Sequence, residues 1–184
     1  MKIIGFAGST SSKSINKKLV NFTLDQLEDE EFATELVDLK DYSLPIFNVD
    51  TEEEQGYPDN AYKFMDKIKQ ADALVVSMAE HNGAYAAEGK NLLDWCSRIE
   101  LGFFHDLPMF LMSTSPGGYG GGNVLEMAKK RFPKFKADLK STFKLPKFSD
   151  NFSEKSGIIN DELKKEHREN LDEFLSSLQQ IKSD

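Results

Sequence analysis

The opening of the sequence constrains the fold most, because a short apolar run stops there at a glycine and passes into a loop of hydroxyl side chains. Residues 3–7 are apolar or small, Gly8 follows, and Ser or Thr fills five of the six positions 9–14. From Ile15 onward, apolar residues recur at the spacing of an amphipathic helix. A buried strand, a tight polar loop and a helix are typical of the first unit of a mononucleotide-binding α/β domain.

The rest of the chain repeats this alternation. The predicted strands are residues 3–7, 34–39, 73–78, 107–112 and 140–145, and the predicted helices begin at residue 15, span 61–69, 86–98 and 123–132, and close the chain around residue 175. The acidic residues 50–55 are predicted to be a surface loop. Strands that alternate with helices favour a parallel sheet with helices on both faces. We predict a single α/β domain over residues 1–184.

Composition excludes several classes of partner. The formal net charge of −8 disfavours a nucleic-acid surface, which would need clustered Lys and Arg, and also an anionic membrane surface. The single cysteine, Cys96, excludes an intrachain disulfide. The N-terminal apolar run is too short for a signal peptide, and no stretch approaches the roughly 18 apolar residues of a membrane span. We therefore expect a cytoplasmic protein that binds neither nucleic acid nor membrane.

Three chemically unusual loops are predicted to lie at the carboxyl ends of strands, where open parallel sheets bind their ligands. Residues 9–14 are rich in hydroxyls, residues 79–85 carry Asn82 and Gly83, and residues 113–122 are rich in glycine. Glycines let a backbone approach a ligand closely. The coincidence of three such loops at one edge predicts a binding site there.

The first of these loops, residues 9–14, which we call the hydroxyl loop, has the features of an anion site. A helix N-terminus offers unpaired N–H groups and a partial positive charge. Five hydroxyls can add donors around it, those of Ser9, Thr10, Ser11, Ser12 and Ser14. Asn16 follows in the first helical turn. Two plainer interpretations stay open, namely that Ser14 only caps the helix or that the segment is an ordinary polar loop.

A P-loop is a near miss. The pattern Gly-x-x-x-x-Gly-Lys-Ser would overlay residues 7–14 and would match Lys13 and Ser14. However, Ala7 and Ser12 stand where the two glycines should be, and no Gly-x-Gly-x-x-Gly follows the first strand. We therefore reject both nucleotide-binding motifs for this loop.

The motifs on the three loops resemble those of the NADPH-dependent FMN reductase family, flavodoxin-like proteins that include quinone, chromate and azo-dye reductases. The resemblance covers about the first three-quarters of the chain, judged by the order and spacing of motifs on an α/β frame. The matching residues are Gly8, Ser9, Ser14 and Asn16 in the first motif, Glu80, Asn82 and Gly83 in the second, Lys90, Asn91, Asp94 and Trp95 in the following helix, and Ser115, Gly117 and Gly118 in the late loop.

The resemblance implies a flavodoxin-like three-layer sandwich with a five-stranded parallel sheet in the order 2-1-3-4-5, and FMN as the cofactor. The hydroxyl loop would hold the FMN phosphate, and the other two loops would contact the isoalloxazine ring. The implied cofactor-binding residues are Ser9, Ser11, Ser14, Ile15, Asn16, Ala79, Glu80, His81, Asn82, Gly83, Ser115, Gly117 and Gly118. A homodimer or homotetramer is implied as well.

The chain departs from the family pattern on two loops. Ser11 replaces the usual Arg, Ala79 the usual Pro and His81 the usual Tyr. Residues 84–87 read Ala-Tyr-Ala-Ala in place of Ser-Ile-Pro-Gly. Loss of the Arg removes a positive charge from the expected phosphate site, for which Lys13 would be a partial substitute.

Flavin chemistry requires no acid–base triad, and we assign no catalytic residue and no metal ligand, since His81, His105 and His167 lack metal-ligand spacing. We predict an NAD(P)H-dependent, FMN-binding oxidoreductase. It would pass a hydride from NADPH or NADH through FMN to a quinone, free flavin or similar acceptor. The alternatives are a flavodoxin-like carrier of FMN or another phosphate ligand with little turnover, and an interaction protein that keeps only the fold.

Overall fold

The computed structural model describes residues 1–29 and 32–183, and strands and helices alternate along them. The strands are β1 (Lys2–Ala7), β2 (Ala33–Val37), β3 (Ala73–His81), β4 (Ala84–Tyr85), β5 (Leu107–Thr114), β6 (Ala137–Leu145), β7 (Phe152–Ser153) and β8 (Gly157–Ile158). The helices are α1 (Ile15–Asp29), α2 (Val49–Gln55), α3 (Asp59–Lys69), α4 (Ala87–Ile99), α5 (Gly122–Arg131), α6 (Phe148–Asn151) and α7 (Asp161–Ser183). None of the described helices is both long enough and apolar enough to cross a membrane.

Five strands form a parallel sheet in the order β2-β1-β3-β5-β6, and β4 pairs antiparallel with the end of β3. Ile4 of β1, for example, lies opposite Glu35 on one side and Leu74 on the other. With the short hairpin strand β4 set aside, this is the order 2-1-3-4-5. The predicted fold class is therefore confirmed.

The two faces of the sheet bury two separate apolar clusters, because successive strand residues point to opposite faces. Ile4 and Phe6 belong to the cluster that α3, α4 and α5 cover, together with Phe64 of α3. Ile3 belongs to the cluster that α1 and α7 cover, together with Phe174 of α7. This three-layer packing brings the carboxyl ends of β1, β3 and β5 to one edge.

The prediction of a loop at residues 50–55 is wrong, because these residues belong to helix α2. The Asn48 side chain accepts a hydrogen bond of 2.8 Å from the Thr51 N–H, and acidic residues occupy the first turn, where the helix dipole favours them. Since α2 buries none of its side chains, it has no apolar stripe that the sequence could reveal.

The prediction of a loop at residues 79–85 is also wrong, because β3 continues through His81 and turns back into β4. Asn82 and Gly83 have φ angles of 51° and 77°, so both central residues of the turn adopt positive φ. An Asn-Gly pair in this conformation is the favoured two-residue hairpin turn. The segment is therefore a tight β-hairpin.

The C-terminal part also contains elements that the sequence did not reveal. β6 begins at Ala137, three residues before the predicted start, and α6 with the β7–β8 hairpin precedes the closing helix. Gly157 has a φ of 68°, and a Cβ there would lie 2.0 Å from the Phe22 ring of α1. The hairpin can therefore pack against α1 only because this position has no side chain.

Candidate functional site

A cleft of about 310 Å³ opens at the carboxyl edge of the sheet, between the segments that follow β1, β3 and β5. Nine of the thirteen predicted residues line it, and they are Ser9, Ser11, Ser14, Ile15, Asn16, Ala79, Glu80, His81 and Ser115. Three further lining residues are Lys13, Thr114 and Pro116. The cleft therefore lies where open parallel sheets place their ligands.

Serine side chains of the hydroxyl loop form hydrogen bonds with backbone N–H groups of the loop and of α1. The Ser11 N–H donates to Ser9 Oγ at 3.2 Å, and the Lys13 N–H donates to Ser11 Oγ at 3.3 Å. Ser14 Oγ accepts a hydrogen bond of 3.2 Å from the Lys17 N–H, so Ser14 does cap α1. In each of these contacts the hydroxyl is the acceptor, which leaves its hydrogen available for a ligand.

The N-terminus of α1 supplies further donors to the same cleft. Within the described part of the chain, the N–H groups of Ile15 and Asn16 have no hydrogen-bond partner. Such first-turn N–H groups are unpaired within any helix and attract anions. A helix cap by Ser14 therefore leaves these two N–H groups available, so the cap does not exclude the predicted anion site.

Asn16 is buried beneath the hydroxyl loop, and its side chain connects three elements. Its Oδ1 accepts hydrogen bonds from the Ser77 hydroxyl at 2.7 Å and the Thr114 N–H at 3.1 Å, and its Nδ2 donates to the Thr114 carbonyl at 3.2 Å. These bonds hold α1 against the ends of β3 and β5. The Asn16 side chain therefore shapes the floor of the cleft from within.

Glu80, near the end of β3, connects this strand to the start of α5. Its carboxylate accepts hydrogen bonds from the Val124 N–H at 2.9 Å and from Asn123 Nδ2 at 3.3 Å. Gly121 stands at the N-cap position of α5 and provides no side-chain cap. Glu80, which belongs to β3, caps α5 in its place. Its negative charge is favourable at the positive N-terminal end of α5.

Four predicted residues do not line the cleft. Asn82 and Gly83 form the hairpin turn between β3 and β4, and Gly117 and Gly118 lie in the exposed turn after β5. The Gly117 carbonyl accepts a hydrogen bond of 2.9 Å from the Lys147 N–H, which ties this turn to the residues after β6. These four residues therefore form the turns that flank the cleft.

The remaining family motif, on α4, holds the segment that follows β2. Asn91 Nδ2 and Trp95 Nε1 both donate to the Pro45 carbonyl, at 2.9 Å and 2.7 Å. Asn91 Oδ1 in turn accepts from the Phe47 N–H at 2.8 Å. The motif therefore has an internal role in this structure.

The charged or titratable side chains that line the cleft are those of Lys13, Glu80 and His81. Two further titratable side chains, Cys96 and His167, are buried away from the cleft. Burial raises the pKa of the Cys96 thiol to about 12, so this thiol is a poor nucleophile. Burial, with a smaller effect of Arg168, lowers the pKa of His167 to about 4. The described residues contain no group of three or more His, Cys, Asp or Glu that could hold a metal ion.

Sequence reasoning missed Thr114 and Pro116, which line the cleft where β5 ends. The apolar run that predicts this strand stops at Met112, whereas the strand continues to Thr114. Thr114 lies two residues before Pro116, and neither residue carries a sequence signal of its own. The position of this wall of the cleft therefore came only from the structure.

A larger surface groove of about 560 Å³ lies between α1 and the β7–β8 hairpin. Two of its lysines, Lys17 and Lys18, form ion pairs with Asp38 and Glu154. The smaller cleft remains the candidate functional site, because it lies at the carboxyl ends of parallel strands, where open sheets bind their ligands.

Comparison with known proteins gives relatives of two named activities. The chain is 30% identical over 122 residues to an NADPH:quinone oxidoreductase of Arabidopsis thaliana, a match that covers 66% of this chain and 61% of the relative. It is 30% identical over 120 residues to an NAD(P)H-dependent FMN reductase of Pseudomonas aeruginosa, covering 65% and 63%. The matches thus span about three-fifths of the length of these curated relatives.

Solved structures and a family model agree with these relatives. A flavoenzyme NAD(P)H:(acceptor) oxidoreductase from Paracoccus denitrificans superposes with a TM-score of 0.73 at 21% identity over 97% of both chains. A flavodoxin from Pseudomonas aeruginosa superposes with a TM-score of 0.59 at 14% identity over 97% and 99%. Both likenesses support the fold alone. The family model NADPH-dependent FMN reductase matches residues 1–145, which confirms the predicted family, and the chain therefore belongs to the NADPH-dependent FMN reductase family.

Proposed function

We propose that this protein is an NAD(P)H-dependent, FMN-binding oxidoreductase that reduces a quinone, a free flavin or a similar small acceptor with NADPH or NADH. The observation that carries the proposal is the cleft at the carboxyl edge of the sheet, in a chain of this family. One end of that cleft combines a helix N-terminus, free hydroxyl hydrogens and a cation. These are the groups that a phosphate monoester requires.

The donor set fits FMN. Ser9, Ser11 and Ser14 offer hydroxyl hydrogens, and the N–H groups of Ile15 and Asn16 offer the partial charge of α1. Ala79 and Pro116 also line the cleft and present small apolar surfaces suited to a flat ring. This set would hold a phosphate at one end and a heterocycle at the other.

The chain's own residues would bind and orient rather than react. Bound FMN would supply the hydride and electron transfer. Glu80 holds the N-terminus of α5 beside the cleft, and Asn16 holds the three elements beneath it. His81 lines the cleft with an exposed imidazole, whose ring nitrogens can form hydrogen bonds with a ligand there.

Reconstitution with FMN tests the proposal directly. The purified protein should retain FMN through gel filtration and show visible flavin absorption. It should then oxidise NADPH or NADH when a quinone is added. Protein that stays colourless with FMN would refute the proposal, whereas FMN binding without turnover would favour the carrier alternative.

A charge reversal locates the phosphate end. Ser11→Asp should weaken FMN binding, because it places a carboxylate where the phosphate would lie. Ser176→Asp, which adds the same charge at an exposed position on α7, is the matched control. Equal FMN affinity in both variants would mean that the hydroxyl loop does not hold the phosphate.

We also propose a homodimer or homotetramer in the cytoplasm. Support comes from the exposed apolar side chains of Ile46 and Val49, which are 84% and 53% accessible on the segment after β2. Light scattering of the purified protein should give a multiple of the 20.8 kDa chain mass. A monomer at micromolar concentration would contradict this assembly, and cell fractionation tests the location.

A further inference from the structure

Lys13 is the lysine that lines the cleft. Within the described part of the chain, the Lys13 ammonium group forms no ion pair and no hydrogen bond, and it lines the cleft. The next two lysines differ, because Lys17 lies 2.6 Å from Asp38 and Lys18 lies 2.5 Å from Glu154. Of the three lysines around the start of α1, Lys13 is therefore the one able to meet an anion.

The hydrogen bonds of Ser11 position the backbone of Lys13. Its Oγ accepts a hydrogen bond from the Lys13 N–H, and its carbonyl accepts one of 3.1 Å from the Ser14 N–H. Its own N–H donates to Ser9 Oγ. Residue 11 thus carries the turn that places residue 13 at the helix N-terminus, and it is the same position at which the family pattern has Arg.

We propose that Lys13 supplies the positive charge for the cofactor's phosphate monoester and that Ser11 fixes the turn that presents it. The inference rests on the proposed function, since the phosphate is that of FMN. The charge has moved two positions along the hydroxyl loop relative to the family's Arg. A lysine ammonium acts as a point charge, whereas an arginine forms a planar, bidentate fork. Lys13 would therefore add charge to the phosphate site without a bidentate geometry.

Binding of FMN and of riboflavin, which lacks the phosphate, separates this contribution from contacts to the ring. In low salt, Lys13→Gln should weaken FMN binding by about tenfold, the scale of one charge-assisted contact, and leave riboflavin binding unchanged. Lys13→Arg should bind FMN nearly as the wild type does. Quenching of flavin fluorescence measures both affinities without any turnover.

The matched control is Lys18→Gln. It removes the same charge from the same end of α1 but breaks only the exposed ion pair with Glu154. FMN affinity should stay within about twofold of the wild type, because exposed pairs contribute little and are screened by salt. Raising the salt concentration should weaken FMN binding in the wild type more steeply than in Lys13→Gln.

A double-mutant cycle tests the positioning role of Ser11. Ser11→Ala should weaken FMN binding in the wild-type background and weaken it less when Lys13→Gln is already present, because a residue that acts through Lys13 has less to act on. Independent roles would give additive losses, and that result would overturn the assignment of Ser11. Thermal melts of each variant confirm that it is folded.

The outcomes separate this inference from the function on which it rests. If wild-type protein binds FMN and Lys13→Gln binds it equally well, or loses FMN and riboflavin affinity in equal measure, the Lys13 assignment is overturned alone. If wild-type protein fails to bind FMN, the proposed function and the assignment are overturned together.

Discussion

The buried His167 should make the protein less stable as the pH falls below about 6.5, and the structure gives the size of the effect. This α7 residue is 1% exposed, and its Nε2 lies 2.9 Å from the Thr23 hydroxyl oxygen. Thr23 Oγ1 also lies 3.0 Å from the Leu19 carbonyl, and when its hydrogen points there the His167 Nε2–H donates to Thr23. The rings of Phe110 and Phe143 lie beside the imidazole. The site therefore suits a neutral ring.

Burial first, and Arg168 second, lower the pKa of His167 from 6.5 to about 4 in the folded protein. Between these values the unfolded chain binds the proton and the folded chain does not, so the free energy of unfolding falls as the pH falls. The loss amounts to about 2 kcal/mol at about pH 5 and to about 3 kcal/mol below pH 4. Domains of this kind have total stabilities of roughly 5–15 kcal/mol, so the effect is measurable.

Urea unfolding of the wild type and of His167→Gln, followed by Trp95 fluorescence, measures this difference. Gln is neutral at every pH and can still donate to Thr23, so the stability advantage of the wild type should shrink by about 2 kcal/mol between about pH 7.5 and pH 5. The carboxylates titrate in both proteins and cancel in the comparison.

Phe174→Leu, which perturbs the same cluster without a titratable group, is the control, and its stability difference from the wild type should not change with pH. A wild-type advantage over His167→Gln that is equally constant would refute the reasoning. An NMR titration of the His167 ring provides a second measurement, with a midpoint expected near pH 4.

Three further substitutions test the frame around the cleft, each by its free energy of unfolding in urea. Asn16→Leu should cost about 2–4 kcal/mol because it leaves the Ser77 hydroxyl and the Thr114 backbone unpaired, whereas Asn21→Leu at an exposed position of α1 should cost little. Glu80→Ala should cost about 1–2 kcal/mol through the lost cap of α5, and Glu80→Gln clearly less. Gly157→Ala should destabilise by about 1–3 kcal/mol more than Gly56→Ala, because both glycines have positive φ but only a Cβ at position 157 meets another atom. Equal losses within any of the three pairs would contradict the corresponding contact.

The elements that could be predicted from the sequence are those whose burial produces a recognisable pattern of apolar residues. β1, β3 and β5 are covered on both faces, so each is an almost unbroken apolar run. Helix α2 rests on local capping by Asn48, and the β7–β8 hairpin rests on contacts with Phe22 across the chain. Neither produces an apolar period, so neither could be predicted from the pattern.

The same distinction explains which parts of the cleft could be predicted. Its location follows from the alternation of strands and helices, because parallel strands end at one edge. The residues that line the cleft depend on where each strand ends. β5, for example, continues for two residues beyond its apolar run, through Ser113 and Thr114. The placement of Lys13 depends on hydrogen bonds to Ser11 that composition alone does not specify.

Residues that keep the family pattern and residues that depart from it both line the cleft. Asn16, Glu80 and Trp95 all match the pattern, and each forms its hydrogen bonds within the protein. The departures Ser11, Ala79 and His81 line the cleft beside the matching residues Asn16 and Glu80. The matching residues thus connect the elements around the cleft, while three positions of its surface differ from the family pattern. We therefore expect its cofactor affinity and acceptor preference to differ from those of its relatives although the fold is the same, and a panel of acceptors assayed with the wild type and His81→Tyr measures that difference.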